Sequence, residues 1–208
     1  MRYLALLTTL LLTSPVAHAQ RPGAPARTPS TWLGLSGGML LMGNVQDGTT
    51  GSSWDFSNAW PIRISLERSM GRGGSLGAQF TYARAPLRYS SSGPCSSCNA
   101  HATVATYGPL LRIGAGQTWH QVLELFAGVM QYGGFTEDGS ELTLPPDSPN
   151  RDFAFSVGYG IGYPIGTDWE LELMTSYLSA VHERTSLAGN VQTLAQHTTL
   201  MVGLRMGF

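Results

Sequence analysis

The chain has 208 residues and a formal net charge of −1, with 12 arginines, no lysine, 26 glycines and two cysteines. Charged residues make up 12% of the chain, about half the usual share, while apolar residues make up an ordinary 42%. This composition disfavours a nucleic-acid-binding protein, which carries a strongly basic face, and a disordered chain, which lacks apolar and aromatic residues.

The chain begins with a segment typical of a secretory signal peptide. Arg2 supplies a positive charge, residues 3–12 form an apolar stretch, and Ala17, His18 and Ala19 form a cleavage site. We therefore expect a signal peptide over residues 1–19. Residues 20–30 are rich in proline and polar side chains, which predicts a tether without regular structure.

From Thr31 onward, apolar residues alternate with small or polar ones at a period of two, which predicts eight β-strands. The sixth strand is the clearest, because its odd positions from 153 to 163 are apolar or aromatic and its even positions are Ala, Ser or Gly. The first strand, roughly residues 31–42, is ambiguous, because Trp32, Leu40 and Met42 fall opposite its other apolar residues.

The predicted connections alternate in length along the chain. Long ones, rich in Gly, Ser, Asp and Pro, are expected at residues 43–58, 86–102, 134–151 and 183–193, and short turns at 70–74, 115–120 and 164–167. Long loops at one end, short turns at the other and an even number of strands predict an eight-stranded antiparallel up-and-down transmembrane β-barrel over residues 31–208.

A soluble eight-stranded barrel would show the same alternation with its apolar face inward. Three features favour the membrane barrel: the polar face is rich in glycine, the aromatic residues fall at two depths, and the charge is too small for a water-exposed outer wall. The expected aromatic zones are Trp60, Tyr107, Phe153 and Tyr177 toward the long loops, and Tyr163, Trp169 and Phe208 toward the short turns.

The last strand has apolar residues at alternating positions and ends in Phe208. This ending resembles the C-terminal signal of outer-membrane proteins, which implies that Leu204, Met206 and Phe208 are read by the barrel-assembly machinery. Residues 31–208 as a whole resemble the small eight-stranded barrels: the OmpX type, the transmembrane domain of OmpA, and OmpW. The resemblance implies a monomer in the outer membrane of a Gram-negative bacterium, in contact with outer-membrane lipid and lipopolysaccharide, with no nucleic-acid partner.

Ionisable residues on the inward face are expected to form a charge network in the lumen. They are Arg63, Glu67, Arg112, Glu124, Glu170, Glu172 and Arg205. The turn near residue 118 puts Arg112 opposite Glu124, and Glu172 and Arg205 lie at matching distances from the short-turn ends of their strands. Because buried charges must pair, the network is either a polar gate on a solute path or a self-neutralising plug. The plug is favoured, since eight strands leave room for side chains only.

Cys95 and Cys98 lie in the second long loop, with His101 three residues further on. In an oxidising compartment this spacing predicts a local disulfide. A metal site would need a fourth ligand, and a redox-active dithiol would need a thioredoxin-like setting. The sequence implies no metal and no cofactor.

The surface residues leave three classes of function open. His182, Glu183 and Ser186 cluster beyond the seventh strand, but the resemblance to lipid A deacylases fails, because their His-x-Ser-Asn motif is replaced by His-Glu-Arg-Thr at 182–185. The leading interpretation is a non-enzymatic barrel with a structural or surface-interaction role. A small pore or solute-uptake barrel of the OmpW type is the alternative, and a lipid-modifying enzyme is the third class.

Two arginines continue the lipid-facing parity of the third strand. Arg84 and Arg88 follow Tyr82 at alternating positions. They are expected either to reach lipid phosphates or to begin the second long loop.

Overall fold

The computed structural model describes residues 29–47, 52–71, 73–90, 98–114, 116–137, 140–141, 151–181 and 194–208. The predicted signal peptide, nearly all of the tether, the predicted disulfide of Cys95 and the cluster at residues 182–186 lie outside the described residues.

Eight long antiparallel strands of the described chain form a closed barrel. They are β1 (Thr31–Met42), β2 (Ile62–Gly71), β3 (Gly74–Ser90), β4 (Cys98–Ile113), β5 (His120–Glu137), β6 (Arg151–Ile165), β7 (Trp169–Val181) and β8 (Leu194–Gly207). Each strand pairs with the next one along the chain, and β1 pairs with β8, which closes the barrel. The predicted fold class, an all-β eight-stranded antiparallel barrel, is confirmed.

Shorter strands extend the wall at the long-loop end. Val45–Asp47 and Ser52–Phe56 form a hairpin, and its second strand pairs with the end of β3. A two-residue strand, Ser140–Glu141, pairs with the end of β5. At the opposite end β2 and β3 are joined by a tight turn in which Gly71 and Gly73 adopt positive φ angles of 75° and 80°, a conformation that favours glycine.

The strands reach further than predicted, because β3, β4 and β5 run into segments expected to be loops at 86–102 and 134–151. The physical reason is an inversion of the alternating pattern. Up to Tyr82 the apolar residues of β3 face outward, whereas beyond it the buried residues Ala83, Ala85, Leu87 and Tyr89 face inward. Beyond the membrane the outside of the wall faces water, so its apolar residues lie on the inner face and its polar residues on the outer face. The strand therefore continues past the point at which the alternation in the sequence changes phase.

The outer surface between the two ends of the barrel is an apolar band. Large side chains such as Leu35, Ile64, Val157 and Val202 are exposed on it. Exposed aromatic residues flank the band: Trp60, Tyr82, Tyr107, Phe153 and Tyr177 on the long-loop side, and Trp119, Tyr163, Trp169 and Phe208 on the short-turn side. Aromatic zones of this kind mark the two headgroup regions of a bilayer.

The ambiguity of the first strand is resolved by the barrel. Leu33, Leu35, Met39 and Leu41 face outward with the apolar band, while Leu40 is buried inside. Within the part of the chain that the structure describes, no helix is long and apolar enough to span a membrane.

Candidate functional site

The lumen is the candidate site. Its lower half, toward the short turns, holds a layer of charged side chains. We define the charge layer as Arg63, Glu67, Arg112, Glu124, Glu170, Glu172 and Arg205, all of which are buried with 1–7% of their surface exposed. They lie on five of the strands, β2, β4, β5, β7 and β8, with their side chains on the inner face. Three arginines face four glutamates, so the layer nearly neutralises itself.

The first part of the charge layer centres on Glu124. Its Oε1 lies 2.6 Å from Arg63 Nη1, and its Oε2 lies 3.3 Å from Arg112 Nη1. Arg112 and Glu124 are direct neighbours in the register of β4 and β5, as expected for strands joined by a short turn. The structure therefore brings this expected couple together, and adds Arg63 as a second partner of the same carboxylate.

The second part of the charge layer centres on Arg205. Its Nη2 lies 2.7 Å from Glu67 Oε2, and its Nη1 lies 3.3 Å from Glu170 Oε2. The expected partner, Glu172, is further away, with its Oε1 at 3.5 Å from Arg205 Nη1. Glu172 also accepts a hydrogen bond from Arg112, which links the two parts of the layer.

The register of β7 and β8 differs from the expectation by two residues. Arg205 lies opposite Glu170, and Glu172 lies opposite Gly203. The expectation assumed that residues at equal distances from the short-turn ends of β7 and β8 lie opposite each other. These two strands are joined at the long-loop end, so no short turn fixes their register. The tilt and stagger of the barrel set it instead.

Serine, histidine and tryptophan side chains complete the charge layer at the short-turn end. Ser65 and Ser75 donate hydrogen bonds to Glu67 at 3.0 and 2.5 Å. His120 Nε2 lies 3.2 Å from Glu170 Oε1. The ring of Trp32 lies over the guanidinium of Arg205, whose central carbon is 4.6 Å from the ring centroid, and it covers the layer from below.

The upper half of the lumen holds an aromatic plug that the sequence did not predict. We define the plug as Trp54, Phe56, Tyr89, Tyr132 and Phe135, all buried. Trp54 has none of its surface exposed and meets Tyr132 and Phe135 edge-on, with ring centroids 5.7 and 5.4 Å apart. The signal in the sequence is the alternation of Trp54 and Phe56, which lies within the segment rich in Gly and Ser that is expected to be a loop at residues 43–58.

A small cavity of about 40 Å³ separates the charge layer from the aromatic plug. Arg63, Gln79, Met130 and Leu178 are among its lining residues. This volume holds about one water molecule. Side chains thus fill the described lumen on both sides of this cavity.

Other predicted residues lie on the wall. Leu204 and Phe208 face outward and Met206 is half-buried at the end of β8. His197, also on β8, is buried, and its Nδ1 accepts a hydrogen bond from the backbone N–H of Gly43 at 3.2 Å. Among the residues that the structure describes, no group of three or more His, Cys, Asp or Glu side chains could hold a metal ion.

Comparison with known proteins identifies the fold. No family model and no curated protein matches the sequence. The solved structure of Neisserial surface protein A matches with a TM-score of 0.58 and 14% identity, covering 86% of this chain and 97% of that one. The outer membrane protein OprG from Pseudomonas aeruginosa matches with a TM-score of 0.53 and 11% identity, covering 87% of this chain and 97% of that one.

The chain has the fold of the small outer-membrane barrels. The same barrel carries an apolar outer band between two aromatic zones, a surface that membrane lipid covers favourably. The predicted class of protein and its location in the outer membrane are therefore confirmed.

Proposed function

We propose that this protein is a closed, non-enzymatic barrel that anchors its long loops in the outer membrane and displays them at the cell surface, in a structural or surface-interaction role. The observation that supports this most directly is that two groups of side chains, the charge layer and the aromatic plug, fill the lumen. A solute would have to separate the ion pairs of the charge layer and then displace Trp54, which is packed among the rings of the plug.

The energetics of the charge layer also favour a plug over a path. Removing one partner of a buried ion pair costs on the order of 3–5 kcal/mol, because the other charge is left without compensation in a poorly hydrated site. A passing ion would create such a state transiently. Eight-stranded barrels are narrow enough for side chains to fill their interior.

Conductance in planar bilayers tests the closed lumen. We expect the purified, folded protein to show no steady conductance. A double variant, Arg63→Ala with Glu124→Ala, controls for contaminating porins, because conductance carried by this lumen must change in that variant whereas that of a contaminant must not. Steady conductance that responds to the double variant would replace the proposal with the small-pore interpretation.

The proposed orientation places both ends of the barrel domain in the periplasm and the long loops outside. Asn58, at the long-loop end, and Thr167, in the turn between β6 and β7, are both exposed. In a variant without the two native cysteines, we expect an impermeant thiol reagent to label intact cells at Asn58→Cys and not at Thr167→Cys. Labelling of Thr167→Cys alone would contradict this orientation and indicate that the short turns face the outside of the cell.

The absence of enzyme activity is part of the proposal and is tested on lipid. We expect lipopolysaccharide from cells that express this protein to have the same acyl chains and headgroups, by mass spectrometry, as that from cells that do not. A modified lipid that disappears in a His182→Ala variant would establish the lipid-modifying alternative.

A further inference from the structure

A polar groove of about 460 Å³ lies on the outer wall of the barrel at the long-loop end. Its lining includes Arg84 and Arg88 of β3, Asn99 and His101 of β4, and Thr136 of β5. We call these residues the basic groove. Of the side chains that line it, Asp55 is the one acidic group within the described residues, so the groove has a charge of +1 with His101 neutral.

The basic groove begins where the apolar band ends. Arg84 is the next outward-facing residue after Tyr82, which belongs to the aromatic zone on the long-loop side. Two residues of a strand span about 7 Å, so the guanidinium of Arg84 reaches the level at which lipid headgroups lie. Arg88 lies a further two outward positions along β3, so the groove rises from the headgroup level away from the hydrocarbon.

A β-bulge shapes the groove and holds its first arginine. Between His101 and Thr103 of β4, the partner residues on β5 shift from Thr136 to Gly133, which inserts one extra residue into β5. Gly134 in the bulge has a φ of 54°, a left-handed conformation. The bulge brings Thr136 within reach of Arg84, whose Nη2 donates a hydrogen bond to Thr136 Oγ1 at 3.2 Å.

The arginines of the groove keep most of their donors available, since the hydrogen bond from Arg84 to Thr136 uses one of them. Within the described residues, neither Arg84 nor Arg88 takes part in an ion pair, although Asp55 lies opposite Arg88 in the strand register. The arginines inside the barrel, by contrast, are all paired with glutamates. Two unpaired guanidinium groups on one concave surface favour an anionic ligand, and their planar forks suit a phosphoryl group.

We infer that the basic groove binds the phosphoryl group of a phosphorylated glycolipid of the outer leaflet. Arg84 and Arg88 contact the phosphate oxygens, and Asn99 and His101 offer further polar contacts to the sugar or the phosphate. The position of the groove directly above the apolar band leaves the acyl chains of such a lipid against the wall below Tyr82. The inference rests on the proposed orientation, in which the long-loop end faces the cell surface.

Titration of the folded protein with lipid A in neutral detergent micelles tests the inference. Diphosphorylated lipid A is the probe, dephosphorylated lipid A the comparison, and native mass spectrometry the readout. We expect the double variant Arg84→Ala with Arg88→Ala to bind diphosphorylated lipid A about tenfold more weakly or worse. The matched control is Arg151→Ala, since Arg151 is exposed on β6 two residues before Phe153 of the same aromatic zone but lies outside the groove.

Three results would overturn the inference: unchanged binding in the double variant, an equal loss in Arg151→Ala, or equal binding of the dephosphorylated lipid. Complete displacement of the lipid by millimolar inorganic phosphate would instead identify free phosphate as the ligand and contradict the glycolipid. Because all three substituted side chains, Arg84, Arg88 and Arg151, are exposed, unheated electrophoresis is expected to show a folded barrel in every variant. Binding in micelles is independent of orientation and conductance, so its failure is distinguishable from a failure of the proposed function.

Discussion

Arg205 Nη2 lies 2.7 Å from Glu67 Oε2, although 138 positions separate the two residues in the chain and their strands are not paired with each other. The contact crosses β1, which lies between β2 and β8. It passes over Gly34, where an added Cβ would lie 3.5 Å from Arg205 Cγ and would collide with Ser65 Oγ. The absence of a side chain at Gly34 thus gives the arginine room to reach the carboxylate.

This contact predicts a strong coupling between Glu67 and Arg205. Replacing Arg205 by Met should lower the free energy of unfolding by about 3–5 kcal/mol, because Glu67 and Glu170 lose their shared cation. The double variant Glu67→Gln with Arg205→Met should lose less than the sum of the two single variants. Urea unfolding in lipid vesicles measures all of these changes.

Arg68 is the matched control for the charge layer. It follows Glu67 directly in β2 but is exposed on the outer face. Arg68→Met should change the free energy of unfolding by about 0.5 kcal/mol or less. Strictly additive losses in the Glu67 and Arg205 variants, or an equal loss in Arg68→Met, would contradict a buried and coupled charge layer.

The aromatic plug predicts that Trp54 stabilises the upper barrel. Trp54→Ala should cost about 3–5 kcal/mol in urea unfolding, since it removes a fully buried indole and leaves a cavity among Tyr132 and Phe135. Trp60→Ala is the control, because Trp60 is 76% exposed on the lipid-facing side and should cost much less. If the two variants lose equal stability, Trp54 is not packed inside the barrel. The Trp54 variant should also remain non-conducting, because the charge layer stays in place below the plug.

Close packing inside the wall predicts a difference between two glycines of β5. A Cβ added at Gly128 would lie 2.8 Å from Phe126 Cζ and 3.0 Å from Gly108 Cα, and would collide with the backbone oxygen of Tyr107. Gly128→Ala should therefore destabilise the barrel by about 1–3 kcal/mol. Gly133→Ala meets nothing within 4 Å and should be neutral or slightly stabilising. The measurement is the urea midpoint of unfolding for each variant. Similar midpoints for Gly128→Ala and Gly133→Ala would disprove the tight approach of β4 and β5 at Gly128.

The proposed assembly signal predicts that Phe208 affects the folded yield in cells more than the stability of the purified protein. The side chain of Phe208 is 63% exposed, while its backbone oxygen accepts hydrogen bonds from the N–H groups of Ser30 and Thr31 at 3.1 Å. Phe208→Ala keeps those hydrogen bonds, so we expect the purified protein to refold into vesicles with an unchanged urea midpoint. We expect its folded yield in the outer membrane to fall.

Phe155→Ala is the control for the assembly signal, since Phe155 is also exposed to lipid but lies in the middle of the wall. A normal cellular yield for Phe208→Ala, or an equal fall for Phe155→Ala, would count against a specific signal in the last strand. Lower stability of purified Phe208→Ala would assign the residue a structural role instead.

The sequence alone determined the barrel and the charged residues that line its lumen. Alternation at a period of two assigns each side chain of a strand to one of two faces, and the band of apolar residues identifies the face that contacts lipid. For this reason the seven charged residues of the lumen, and the pairing of Arg112 with Glu124 across a short turn, followed from local pattern. Each depends on positions close together in the chain.

Only the tertiary structure decided how the lumen is filled. The contact of Arg205 with Glu67 depends on the stagger of the whole barrel, because β1 separates their strands and no local turn sets their relative height. The plug depends on the segment of Trp54 folding back onto β3, and the strand extensions depend on an inside that becomes apolar once the wall leaves the lipid. A periodic pattern reports which face a residue occupies. What meets it across a closed barrel is set by the geometry of closure, which brings together residues far apart in the chain.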